Sequence, residues 1–424
     1  MRRVTACFLS PAVALLVASG ALLLTDGTSA ASAPLPASAQ RALGSNWYAA
    51  APYVDVNGAN PPDLGQVMAA TGQKAFDLAY VVAAKRKDCD AVWAGRAHTP
   101  VSAVPVGGGV GNLQTTGGAL AVSFGGPTGV PLGEACGDAY VTADTEATVL
   151  YQLGASALDI DVEGPELADP AAVAAEIGAA QVEQQRNPGM YVSITVPTSP
   201  TGVDSDVVSL LRTALGLGFR PNSFTIKPEG AGFTGAASEI TALQDFNAQL
   251  AGVFGWDPAT AYAYEGIDQT VGRTGEGTRL STADAARVVD FALANRMSRY
   301  TFWSVGRDRP CAPASGLTVG SGTCSGVSQT PYQFTGYAAT FAQGTSPEPS
   351  PSPTWTPSGS ASPSAYPSCY PLWNPTASYS AGQGVSEPGE WNWTAAQPNV
   401  GDSPSPGSSY WNSVGQCGGP YGQS

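Results

Sequence analysis

Eight short apolar runs recur through the first 340 or so residues, and between several of them the chain carries clear helix signals. The runs cover residues 47–53, 76–83, 119–124, 157–162, 191–197, 223–227, 260–264 and 299–305. Asp169-Pro170 places an N-cap before a proline at the first helical position, opening a helix towards Gln185 that Asn187-Pro188-Gly189 closes. Ser281 or Thr282 caps a second helix, with Val288, Val289, Phe291 and Leu293 on or near its apolar face. Strands alternating with helices imply parallel pairing. Eight of them in about 300 residues fit an α/β fold of the (β/α)8 TIM-barrel type. A doubly wound open sheet has the same alternation, and periodicity alone does not separate the two.

The chain has 424 residues, enough for two or three domains at ~100–200 residues each. Residues 344–368 read GTSPEPSPSPTWTPSGSASPSAYPS, an extended Pro/Ser spacer without apolar period. At the other end, Arg2 and Arg3 precede the apolar residues 13–24, and small residues follow. This pattern is that of a secretory leader cut near Ala30 or Ala31, too short to span a bilayer, where roughly 20 apolar residues are needed. The expected layout is a leader (1–31), a barrel (41–343), a linker (344–368) and a small all-β module (369–417) on a secreted, extracellular protein. Secretion makes disulfides the natural reading of the cysteines. Cys7 leaves with the leader, and Cys89, Cys136, Cys311, Cys324, Cys369 and Cys417 remain. Six cysteines allow 15 pairings. Position along the chain favours Cys89–Cys136, Cys311–Cys324 and Cys369–Cys417; metal binding is the alternative, and no CxxC pair supports it.

Charge narrows the partners. Lys and Arg number 19 against 33 Asp and Glu, a formal charge of -14. Phosphate neutralisation needs clustered basic residues, so neither nucleic acid nor an anionic membrane is expected. The single histidine, His98, excludes a multi-His zinc site. Neutral or weakly charged substrates suit this chain, with no cofactor and no metal, acting as a monomer.

The fourth run continues Ala157-Leu158-Asp159-Ile160-Asp161-Val162-Glu163-Gly164. Asp159, Asp161 and Glu163 are spaced by two, so on a strand all three point to one face. Three carboxylates together repel each other and resist desolvation, which folding alone would not favour. They form a coupled titrating set whose use is chemical or cation-binding. Glu163, at the C-terminal end, faces the mouth where barrel enzymes place their sites. Its acidic neighbours would raise its pKa, as a general acid requires. The alternatives are a solvated edge strand and a calcium site.

The DxDxE run, preceded about 35 residues earlier by Ser123-Phe124-Gly125-Gly126, resembles the chitinases of glycoside hydrolase family 18. Pro52-Tyr53-Val54-Asp55 is similar to the first-strand end of one bacterial branch. Phe302-Trp303-Ser304-Val305-Gly306-Arg307-Asp308-Arg309 is similar to the last strand. The resemblance covers about residues 46–312. It implies retaining catalysis without an enzyme nucleophile, an exception to the two-carboxylate scheme. Glu163 would protonate the glycosidic oxygen, and the substrate's 2-acetamido oxygen would attack the anomeric carbon. Asp161 would orient that group with support from Asp159, and Trp303 would stack beneath the sugar ring. Tyr53, Ser123, Gly125, Gly126, Glu229 and Tyr264 are the other expected substrate-site residues.

The chain departs from the family at two places. Ser156 stands where another Asp often begins the motif. On the sixth strand, where Met-x-x-Asp-Tyr is common and its Asp and Tyr contact the acetamido group, this chain has Thr225-Ile226-Lys227-Pro228-Glu229-Gly230. Glu229 replaces the Asp or is a loop residue, Lys227 has no counterpart, and Tyr262, Tyr264 or Glu265 could supply the missing contacts. In the last segment, Trp373, Tyr379, Trp391, Trp393 and Trp411 follow an order that resembles the carbohydrate-binding modules of families 5 and 12. The exposed Trp pair of those modules falls on Gln397 and Pro398, leaving Trp391 and Tyr410 as substitutes. The function expected is a chitinase acting on chitin or chito-oligosaccharides. The other readings are a chitin-binding lectin and an endo-β-N-acetylglucosaminidase acting on N-glycans.

Overall fold

Eight parallel strands follow one another around a near-closed barrel: β1 (Tyr53–Asp55), β2 (Ala75–Lys85), β4 (Ala119–Gly125), β5 (Ala157–Asp161), β6 (Tyr191–Thr198), β7 (Ser223–Pro228), β8 (Glu265–Thr270) and β11 (Arg299–Trp303). β3 (Asp88–Trp93) folds back antiparallel on β2, and β9 (Gly272–Arg273) and β10 (Arg279–Leu280) form a ribbon above β8. A doubly wound sheet reverses its strand order part-way. Here the order is sequential and the last strand returns to the first, where Thr301 Oγ1 donates to the Ala51 carbonyl at 2.5 Å. The computed structural model describes residues 43–58, 61–95, 99–103, 113–312, 320–344, 370–371, 373–374, 376–386, 391–404 and 408–416. The leader, residues 345–368 of the linker, His98, and Cys369 with Cys417 lie outside the described residues.

Each strand has two chemical faces. Leu120, Val122 and Phe124 on β4, Leu158 and Ile160 on β5, and Ile194 and Val196 on β6 join one apolar core beneath the helices. Burying each such side chain stabilises the fold by about 1.5–3 kcal/mol. The alternate positions are polar and just as buried: Ser123, Asp159, Asp161, Ser193, Thr195, Thr225 and Asp268. The barrel therefore has an oily jacket and a polar lumen. The helix Pro170–Arg186 starts at Asp169, whose carboxylate accepts from Ala171 N at 2.9 Å and from Ala172 N. The helix Thr282–Ala294 starts with a capping box between Ser281 and Asp284.

Two of the eight expected strands are misplaced. Residues 260–262 belong to the helix Pro258–Tyr262, 263–264 form the turn after it, and the strand is Glu265–Thr270. Asp257-Pro258 is the same start signal as Asp169-Pro170: the Asp257 carboxylate accepts from Thr260 N at 2.9 Å. Residues 47–53 open in the helix Ser45–Ala49, and β1 begins only at Tyr53. Pro52 has no N–H for a ladder, so pairing with β2 starts after it.

Cys89–Cys136 and Cys311–Cys324 are bonded, with Cα atoms 4.8 and 4.9 Å apart. The first ties the β2–β3 hairpin to the helix Leu132–Cys136.

The chain divides into two units between Pro347 and Glu348. The described residues of the second form only β-structure and turns. β13 (Gly384–Ser386), β14 (Trp391–Ala395) and β16 (Trp411–Gln416) form an antiparallel sheet, and β12 (Ser378–Tyr379) pairs with β15 (Asn399–Val400). Val385, Trp393, Ala395 and Trp411 form its core, with Trp373 and Tyr379 packed against them. Trp393 and Trp411 are therefore corrected from sugar contacts to core residues, because a unit this small uses its largest side chains to exclude water. Tyr379 meets Trp411 edge-on at 5.3 Å. Tyr410 is 37% exposed. The side chain of Trp391 lies outside the described residues.

Candidate active site

β5 supplies Asp159 and Asp161, and Glu163 follows two residues beyond its last residue. The pleat turns all three to the lumen, as the spacing implies. Asp159 lies deepest. Its Oδ2 accepts from Tyr53 Oη at 2.8 Å and Ser123 Oγ at 2.7 Å, and its Oδ1 from Ser193 Oγ at 2.6 Å and Thr195 Oγ1 at 2.9 Å. Four donors occupy both oxygens. Below it, Arg299 on β11 lies 3.7 Å from Asp159 and 3.0 Å from Asp77 on β2. Tyr53 and Ser123 are fully buried and turned to Asp159. They are corrected from sugar contacts to supports, since they sit one strand layer below the mouth.

The mouth holds Asp161, Glu163 and a cation. The Lys227 ammonium, at the end of β7, donates to Asp161 Oδ2 at 3.1 Å, to Tyr80 Oη at 3.2 Å and closely to Glu163 Oε1. Glu229 Oε1 is 3.9 Å from the same nitrogen, and Thr270 Oγ1 donates to it at 3.3 Å. Asp161 is fully buried; Glu163 is 11% exposed and Glu229 40%. Trp303 stacks parallel on Tyr80 with ring centroids 5.3 Å apart, and Tyr53 lies tilted against both.

The two glycines are steric requirements. Gly125 has φ +95°, and a Cβ there would overlap the Asp161 carbonyl oxygen. A Cβ on Gly126 would fall 2.6 Å from the Tyr80 ring. SFGG is thus what lets β4 lie against the acidic strand and what seats Tyr80.

Burial dominates the electrostatics. It pushes Asp161 well above the carboxylate range, and the Glu163 charge adds to it. Asp77 is raised to about 8 by burial and then by Asp159. Asp268 on β8 is buried with neither oxygen hydrogen-bonded, and burial raises it strongly. Burial opposes the charge on Lys227, but Asp161, Glu163, Glu229 and Asp268 together outweigh it, so the ammonium persists. A calcium ion does not suit this donor set. The oxygens of Asp159 are occupied by protein hydroxyls, and Lys227 already stands between Asp161 and Glu163.

Tyr264 is corrected. It precedes β8 at the end of the barrel opposite Glu163 and stacks on Trp256 at 4.6 Å. Tyr262 meets Phe291, and the buried Glu265 accepts from Asn247 at 3.0 Å. None of the three reaches the mouth, because they lie at or before the start of β8, the end of the strand away from Glu163. Tyr80, Asp77, Asp268 and Arg299 were missed. Their signal is a polar residue at the lumen-facing step of an apolar strand, as in Arg299-Tyr300-Thr301-Phe302-Trp303.

No family model matches the chain. A probable bifunctional chitinase/lysozyme of Escherichia coli (strain K12) is 25% identical over 279 residues, 61% of this chain and 31% of the relative. The chain thus spans about a third of the length of the curated relative it matches. The catalytic domain of a hyperthermophilic chitinase from Pyrococcus furiosus superposes with a TM-score of 0.60 at 22% identity, over 69% of this chain and 94% of that one. A catalytic-site mutant of active domain 2 of the Pyrococcus furiosus chitinase, complexed with chito-oligosaccharides, gives 0.59 at 22% over the same shares. The resemblance drawn from DxDxE and SFGG is borne out in fold: this barrel is built like these chitinase domains.

Proposed function

We propose that the barrel is a secreted chitinase that hydrolyses β-1,4-linked N-acetylglucosamine polymers with retention, using the substrate's own acetamido group. The observation that carries this reading is the unequal exposure of the motif acids. Asp159 and Asp161 are fully buried and Glu163 alone is open to the mouth. One motif carboxyl, not two, therefore meets the scissile bond, and the nucleophile is best sought on the substrate. Glu163 protonates the glycosidic oxygen. The acetamido oxygen closes on the anomeric carbon to give an oxazolinium ion, and water, deprotonated by Glu163, opens it. Asp161 faces the acetamido group, the Asp159 charge beneath it adds to the upward push on Asp161, and the open side of Trp303 floors the sugar. The intact Glu163 favours an enzyme over a lectin.

The test is hydrolysis of N-acetylglucosamine hexamers beside cellohexaose and a high-mannose glycopeptide. We expect cleavage of the first, no glucose from the second, and inhibition by a thiazoline analogue. Glucose from cellohexaose would overturn the substrate-assisted step, and cleavage of the glycopeptide alone would make this an endo-β-N-acetylglucosaminidase.

The leader, the linker and the second unit fit delivery to an insoluble polymer outside the cell. A Pro/Ser sequence of about 25 residues would reach up to ~75 Å if extended, so the two units should act independently on soluble substrate and cooperate only at a surface. Truncation near Gly344 is expected to preserve activity on soluble oligomers and to lose much of it on insoluble chitin. An unchanged ratio of the two activities would remove chitin targeting from residues 369–417.

A further inference from the structure

Lys227 is 3% exposed, and its three hydrogen-bond partners are Asp161 and Glu163 at the end of β5 and Tyr80 on β2. An ammonium has three N–H donors and no acceptor. All three donors are occupied here, and each bond has only one possible sense. Glu163 Oε1 must accept, so a proton on that carboxyl resides on Oε2. Asp161 Oδ2 must accept, which leaves Oδ1, buried and without a protein partner, as its uncommitted oxygen. Tyr80 Oη must accept, so its own hydrogen is left for Asp161, with which it also pairs, and an O–H whose oxygen accepts from a cation is a stronger donor.

We propose that Lys227 is the positioning residue of this site, setting the hydrogen-bond polarity of the mouth so that Glu163 carries its proton on Oε2, towards the glycosidic oxygen. The proposal rests on the reading of Glu163 as the general acid. Without the ammonium, Asp161 and Glu163 face each other across the space it filled. Two adjacent carboxyls then share one proton between themselves, and the acid's proton is turned away from the sugar. Glu229 and Asp268 are the other charged or titratable groups around Lys227, and Arg299 lies a layer below.

The experiment compares parent, Lys227→Met and Lys227→Arg on N-acetylglucosamine hexamers across pH. Lys227→Met keeps the bulk and loses the donors. We expect its kcat to fall about 100-fold, the low end of general-acid contributions, with KM within about threefold. The alkaline limb of kcat/KM should move up by about one pH unit, because removing a cation raises the pair's macroscopic pKa. Lys227→Arg should leave that limb near the parent's and recover part of kcat. A Met variant with kcat within threefold of the parent overturns the proposal, and so does a fall in kcat that leaves the limb in place. If the Met variant does not fold, Lys227→Leu, which also has no donor, is read in the same way. A carboxyl-carbon NMR titration of parent and variant follows the same pair without turnover. A parent inactive on every glycan would sink the functional reading alone, while an unmoved titration would sink the role of Lys227.

Discussion

Glu163→Gln is expected to abolish hydrolysis while folding and sugar binding persist. The amide matches the carboxyl in shape, and its oxygen can still accept from Lys227 in place of Oε1. It has no proton to give the leaving oxygen and cannot take one from water. Losses of 10³-fold or more in kcat are expected, since no other motif acid is open to replace it: Asp159 and Asp161 are fully buried. Turnover within about tenfold of the parent, a barrier change of only ~1.4 kcal/mol, would remove Glu163 from the chemistry. The purified variant should still bind N-acetylglucosamine hexamers by calorimetry.

The second large effect is on stability. Burial raises Asp77 to about 8, Glu239 to about 8, Glu176 to about 7 and Asp308 to about 6. It pushes Glu146, Glu166, Glu265 and Asp268 well above their ordinary values as well. These groups hold protons in the folded protein that the unfolded chain releases near 4. A folded-state value above the unfolded one gives stability that is complete below the unfolded value and is lost as pH rises through the folded one. Each group contributes a slope of up to about 1.4 kcal/mol per pH unit in its window. The two carboxylates shifted downwards, Asp88 and Asp257, lie at the surface and offset little of this. The barrel should therefore be more stable at pH 5 than at pH 8. We expect Tm to drop by about 5 °C or more between them, on the order of 2 kcal/mol. Asp268→Asn, which removes one such group where no hydrogen bond is lost, should flatten the slope. A Tm that is level or rises from pH 5 to pH 8 would refute the assignment of these carboxyls as neutral.

Much of the site could be read in the primary structure because it is local. Asp159, Asp161 and Glu163 lie within five residues, and the pleat of one strand places them on one face whatever surrounds it. The same holds for Asp169-Pro170 and for Ser281, whose caps act within a single helical turn. Where a local signal was passed over, at Asp257-Pro258, the strand register slipped, and Tyr264 was carried to the wrong end of the barrel.

What the chain could not declare by itself is which lone polar residues meet. Lys227, Tyr80, Asp268 and Arg299 each sit in a different strand with no local signal of what they meet. Closure of the barrel brings Lys227 on β7 and Tyr80 on β2 within 3.2 Å although they are 147 positions apart, and sets Arg299 against Asp77 at a separation of 222. In the same way Trp393 and Trp411 could have been platform or core, and the sheet they belong to decides for core. Short-range geometry and hydrogen bonding determine a strand face or a cap. The partner of a buried charge is chosen only when distant strands close around it, because that charge has no stable place until they do.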